Sequence, residues 1–174
     1  MDYLTKPTSR WKLRRLAPVF RQLFDVDEDS KFPVLDALER VRDVFRGCWY
    51  EIVNDSDLPA DTPAQCKLIE DESFIIQIKQ SVYDGAYLYD IGAFRGHILH
   101  EIVHVFLYKI GFTPVYTRSF ENEEIPAYRS VEWQTKALTG EIMMPYHATR
   151  GMCRSDIMQR YGVSKGFALY RQTY

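Results

Sequence analysis

Apolar residues recur at three- and four-residue steps through much of the chain, the spacing that gathers them on one face of a helix. In residues 10–24, RWKLRRLAPVFRQLF, this pattern takes in Trp11, Leu13, Leu16, Val19, Phe20 and Leu23. It predicts a helix that accommodates Pro18. After the acidic turn DVDEDS the same period runs through Val34, Leu35, Leu38, Val41 and Phe45, and Gly47 is the expected stop. The pattern then changes. CWYEIVND has strand character and DLPADTPAQC is rich in turn residues. In KLIEDESFIIQIKQSVY, Phe74, Ile75, Ile76 and Ile78 predict a strand, with the polar Gln77 and Lys79 alternating around Ile78. Residues 92–110, GAFRGHILHEIVHVFLYKI, read as one mostly buried helix closed by Gly111. A loop with Pro114, Pro126 and the acidic run ENEE precedes a helix predicted over 130–144 and stopped by Pro145. Two short helices joined at Gly162-Val163-Ser164 follow, with Ser155 and Ser164 as expected N-caps. Helices outnumber strands, and the strands are consecutive, so the expected class is α+β.

Composition narrows this picture. At 174 residues, 46% apolar and 26% charged, the chain is ordinary globular protein, long enough for a core without staples. Cys48, Cys66 and Cys153 are odd in number and widely spaced, which argues against a disulfide framework and a cysteine zinc site and fits a reducing cytosol. The first twenty residues lack the apolar run of a signal peptide, and no segment approaches the ~18 apolar residues of a membrane span. A cytoplasmic protein without membrane contact is expected. Net charge is −2, but residues 1–21 carry +5 and residues 147–174 carry +4, leaving −11 between them. Basic ends bracketing an acidic middle point to partner surfaces rather than to a fold.

The chemistry is concentrated in His100-Glu101-Ile102-Val103-His104, an HExxH motif. Residues four apart on a helix share a face, so both imidazoles can reach one Zn²⁺, while Glu101 lies close enough to move a proton. The surrounding apolar residues, Ile98, Leu99, Ile102 and Val103 among them, would bury this polar trio, and a metal would supply the partners that burial demands. Zinc needs a third protein ligand. A metzincin continuation is excluded, because Leu107 and Ile110 stand where it requires Gly and His. His97, His147 and a carboxylate from the next helix, which starts at Glu132, are the alternatives. Glu132 has a competing partner in Lys136, one turn on. Glu141, on the opposite face, is a poor ligand candidate.

HEIVH followed 28 residues later by VEWQTKALTGEIMMP resembles the ImmA/IrrE family of metallopeptidases. Glu132, Trp133, Gln134, Met144 and Pro145 match its downstream helix outright, and Ile142 and Met143 are conservative. Arg95 stands where the family often has an Arg before HExxH, and RYGVSKGFALYR is similar to its common tail. Thr135-Lys136 and Leu138-Thr139-Gly140 depart from the pattern, as does Val103 before the second His. The resemblance spans roughly residues 90–171. It implies a zincin-like fold with a small antiparallel sheet and an active-site helix. His100, His104 and Glu132 would bind zinc, and Glu101 would be the general base. The substrate implied is a protein, typically a helix-turn-helix repressor encoded nearby, often on a mobile element. Residues 1–146 would form the metallopeptidase domain and 147–174 a helix-turn-helix-like tail packed on the same unit.

Three further expectations follow from the residues. Tyr116, Tyr128, Tyr146 and His147 are candidates for stabilising an oxyanion. The strand around Phe74–Lys79 would pair with an extended substrate if it borders the cleft, and the acidic run 121–124 would favour basic substrate segments. A second reading of the whole chain is a non-catalytic regulatory module that binds DNA through Arg150, Arg154, Arg160, Lys165 and Arg171.

Overall fold

A computed structural model describes residues 2–115 and 125–174. Helix α1, Arg10–Leu23, starts where the Ser9 hydroxyl accepts the Lys12 N–H. Its inward stripe is Leu13, Ala17 and Phe20, continued by Phe24, while Trp11, Val19 and Leu23 are exposed. The predicted helix is therefore present, but its buried face is turned from the expected one. Arg21 lies on the inner face because its guanidinium donates to the carbonyls of Asp27 and Ile142 and lies over the Phe32 ring. The next helical stretch breaks at Arg40 into α2, Val34–Glu39, and α3, Val41–Val44. Its stripe of Val34, Leu38, Val41 and Phe45 is buried as the periodicity requires.

Three strands form one sheet in the order β1-β3-β2: β1 is Cys48–Val53, β2 is Ala64–Leu68 and β3 is Phe74–Lys79. Strand β3 is central, antiparallel to β2 but parallel to β1, with Cys48 opposite Phe74. The sheet is thus mixed, and the expectation of an antiparallel one is corrected. The physical reason is the connection: β2 pairs with β3 on the side away from β1, so the chain crosses over before β3 joins β1. Strand β2 also occupies part of the stretch read as turns. At the edge its Lys67 and Leu68 are exposed, so it lacks the apolar alternation of a buried strand.

Helix α4, Gln80–Tyr89, follows β3 without a loop and adds to the predicted elements. Its buried residues, Val82, Gly85 and Ala86, are small, and a Cβ on Gly85 would fall 2.3 Å from the Phe94 ring, so this helix packs closely on the next. That next helix, α5, is Gly92–Lys109, matching the predicted 92–110. Helix α6, Val131–Met143, begins at Ser130, whose hydroxyl oxygen accepts the Trp133 N–H at 2.8 Å. After the short α7, Tyr146–Thr149, come α8, Arg154–Tyr161, and α9, Lys165–Thr173. Ser164 caps α9 through the Phe167 N–H, as expected, but Ser155 does not cap α8: Cys153 takes that position, with no side-chain bond to the helix N–H groups.

One continuous core joins these pieces. It runs from Leu13 and Phe20 through Phe106 and Leu138 to Ile157, Tyr161 and Ala168 of the last two helices. Phe20 stands edge-on to Phe106 at 5.2 Å. Phe167 of α9 reaches the floor of α5 only because residue 96 is glycine, where a Cβ would lie 2.8 Å from the ring. No helix among the described residues is long and apolar enough to cross a membrane.

Candidate metal centre

Two helices bring the site together. On α5, His100 and His104 are one turn apart, and their Nε2 atoms converge to 3.0 Å with the rings at 83°. Glu132 enters from the first turn of α6. Its Oε2 is 3.1 Å from His100 Nε2 and its Oε1 is 3.5 Å from His104 Nε2. One donor atom from each residue lies within 4.8 Å of the others, close enough to hold a metal ion. Donors bonded at about 2.0–2.1 Å to a tetrahedral ion stand about 3.3 Å apart. The three measured separations bracket that value. In the metal-free protein a proton on His100 Nε2 can face both Glu132 and His104, and a divalent cation in the same place would take the lone pairs of all three, so the donor set fits a divalent ion.

Electrostatics prepare the group for this. Burial pushes His104 down to about 4, so its imidazole is neutral at pH 7 and offers a lone pair. The hydrogen bond with His100 holds the Glu132 carboxyl below the ordinary range, keeping it ionised. Lys136, the competing partner for Glu132, turns instead to the Tyr170 ring, 5.7 Å from its centre. Glu141 faces away, toward α1 and α9, as its position on the helix implied.

Glu101 is buried beside His100, 9% exposed, and accepts the backbone N–H of Cys66 on β2. Burial pushes its carboxyl up to about 7, against the pull of His100. The same cleft, about 940 Å³, takes its floor from the α5 residues His97, His100, Glu101, His104, Leu107 and Tyr108. Strand β2 lines one side, and Tyr3 and Thr5 line another. Phe74 at the start of β3 also reaches the cleft, but β3 is paired on both sides, so the strand that offers it a free edge is β2.

His97 lies exposed on the cleft lining and outside the group of three. Tyr146 and His147 line a separate cavity of about 430 Å³ with Trp11 and Glu141, and the Tyr146 ring packs under Arg14 at 3.6 Å. Tyr128 is exposed on the turn before α6. Tyr116 and the acidic run 121–124 lie outside the described residues.

Two further residues brace the site. Thr135, fully buried on α6, places Oγ1 3.2 Å from His104 Nδ1. It follows Glu132 by three residues, so helical spacing alone puts both on one face. Asp2 accepts the Glu132 N–H at 3.1 Å and the Ser130 hydroxyl at 2.6 Å, bracing the start of α6. Nothing local in the sequence marks it, because the contact spans 130 residues. Comparison of the chain with protein-family models and with curated proteins gives no match, and the case for what the site does rests on its own geometry.

Proposed function

We propose that this chain is a zinc-dependent endopeptidase with a zincin-like fold, of the ImmA/IrrE kind, cutting a protein partner such as a helix-turn-helix repressor. The observation that carries the reading is the meeting of His100, His104 and Glu132 beside a buried Glu101, in a cleft walled by an edge strand. His100, His104 and Glu132 are the three protein ligands, which leaves one position of a tetrahedral ion to the cleft. Bound there, zinc supplies the Lewis acidity that acidifies water and polarises a peptide carbonyl. Glu101 takes the proton of the attacking water and returns it to the leaving nitrogen. Glu101 stands next to His100 in the same cleft, within the site where that proton has to move. The outer edge of β2 offers backbone hydrogen bonds to an extended substrate, a mode open only to a strand with one free side.

Purified protein is expected to hold about one equivalent of zinc by metal analysis. Changing His100 or His104 to Ala should empty it, whereas Glu101→Gln should keep the metal and lose cleavage of the partner repressor. Metal-free protein that cuts as well as the metal-loaded form would sink the reading.

The second reading, DNA binding by the tail, has one observation in its favour: α8 and α9 form a helix pair about a turn at Gly162. Arg171, however, is buried on Glu141, and the half-buried Arg154 donates to the Gln172 side chain, which leaves Arg150, Arg160 and Lys165 exposed. Salt-dependent retention of the full chain on duplex DNA would favour that role.

A further inference from the structure

We propose that Thr135 is a positioning residue of the metal centre, whose hydroxyl fixes His104 as the Nδ1–H tautomer and so turns the Nε2 lone pair toward His100 and Glu132. The inference deepens the metallopeptidase reading and rests on it for its purpose, though not for its geometry. Thr135 is fully buried, and its hydroxyl has one hydrogen and two polar neighbours. Val131 O is 2.8 Å away and His104 Nδ1 is 3.2 Å away.

One assignment gives both contacts a proton. The hydroxyl donates to the Val131 carbonyl, a group that cannot donate, and its oxygen then accepts the Nδ1–H of His104. In the opposite assignment the hydroxyl proton goes to Nδ1. The hydroxyl oxygen would then face the Val131 carbonyl oxygen at 2.8 Å with no proton between them, in a dry interior where an unmade bond is costly. With Nδ1 protonated, a neutral ring carries its lone pair on Nε2, the atom 3.0 Å from His100 Nε2 and 3.5 Å from Glu132 Oε1. The group behind a metal-binding histidine sets its tautomer and its aim. Here a threonine relays a backbone carbonyl of α6 to that purpose. The helix that delivers Glu132 also orients His104, so one element sets two of the three ligands.

The test compares wild type, Thr135→Val, which keeps the shape and removes the hydroxyl, and Thr135→Ser, which keeps the hydroxyl. Nitrogen-15 NMR of the histidine rings in metal-free wild type should show His104 as the Nδ1–H tautomer; finding Nε2–H would overturn the proposal. Zinc dissociation constants from competition with a chromogenic chelator should weaken about 10–100-fold in Thr135→Val and return close to wild type in Thr135→Ser. Equal affinity in wild type and a folded Thr135→Val would also overturn it. If Thr135→Val does not fold, the wild-type ring spectrum and the Thr135→Ser affinity still decide. Wild type that binds no zinc would refute the metallopeptidase reading, while the tautomer measurement would separately judge the hydrogen-bond relay.

Discussion

Glu101 and His104 show how burial acts in opposite senses on an acid and a base three residues apart. The same loss of water favours the neutral form of both, raising Glu101 to about 7 and lowering His104 to about 4. For Glu101 in metal-free protein this has a sign that can be measured. Below pH 4.5 the carboxyl is protonated in both the folded and the unfolded chain and costs nothing. As pH rises from 4.5 through about 7, the unfolded chain ionises first and folding loses ground, by about 3 kcal/mol at most. Glu101→Gln should therefore raise the urea midpoint in the presence of chelator at pH 8, and the gain should vanish near pH 4. The HExxH histidines were legible because a four-residue spacing on a helix needs no tertiary information. Thr135 was visible only as a residue sharing a face with Glu132, since a threonine becomes a histidine's partner only when another helix packs against it.

Helix α6 carries the third ligand in its first turn, where backbone N–H groups lack helical partners and caps matter most. Ser130 accepts the Trp133 N–H and donates to Asp2, while Asp2 accepts the Glu132 N–H. Ser130→Ala should cost about 1 kcal/mol in urea unfolding and weaken zinc binding, read by chelator competition, because Glu132 then sits on a fraying turn. The two elements missed in the sequence have physical reasons. Strand β2 is an edge whose Gln65 and Lys67 belong to no buried face, and α4 starts directly at the end of β3 with no turn residue to announce it. Conversely, α5 was well bounded because it is apolar on most sides and Gly111, at φ +87°, ends it.

The charge split along the chain is resolved inside the fold. Arg10 and Arg14 from the basic beginning and Arg171 from the basic end converge on Glu141 of the acidic middle, with N–O distances from 2.8 to 3.1 Å. Glu141 is 1% exposed, and the bond to Arg171 is nearly as buried. The expectation that the basic ends serve mainly to meet partners is to this extent corrected: three of their cations hold α1 and α9 onto α6. Removing the anion while keeping its shape strands those cations. Glu141→Gln should cost about 3–5 kcal/mol in denaturant unfolding and loosen both ends of the chain together. Hydrogen exchange should register this in α1 and α9.

By itself the sequence determined the helical periods, the α+β class, the pairing of His100 with His104 and the presence of Glu101 beside them. All of these depend on local repeat geometry and on which side chains leave water. Only the tertiary structure decided that Glu132 faces the histidines rather than Lys136, that β2 rather than β3 gives the cleft its free strand edge, and that Thr135 and Asp2 brace the site. Each of those outcomes depends on how separate elements meet. Their contacts cross 28 to 130 residues of chain, a distance over which no local pattern of apolar and polar positions carries information.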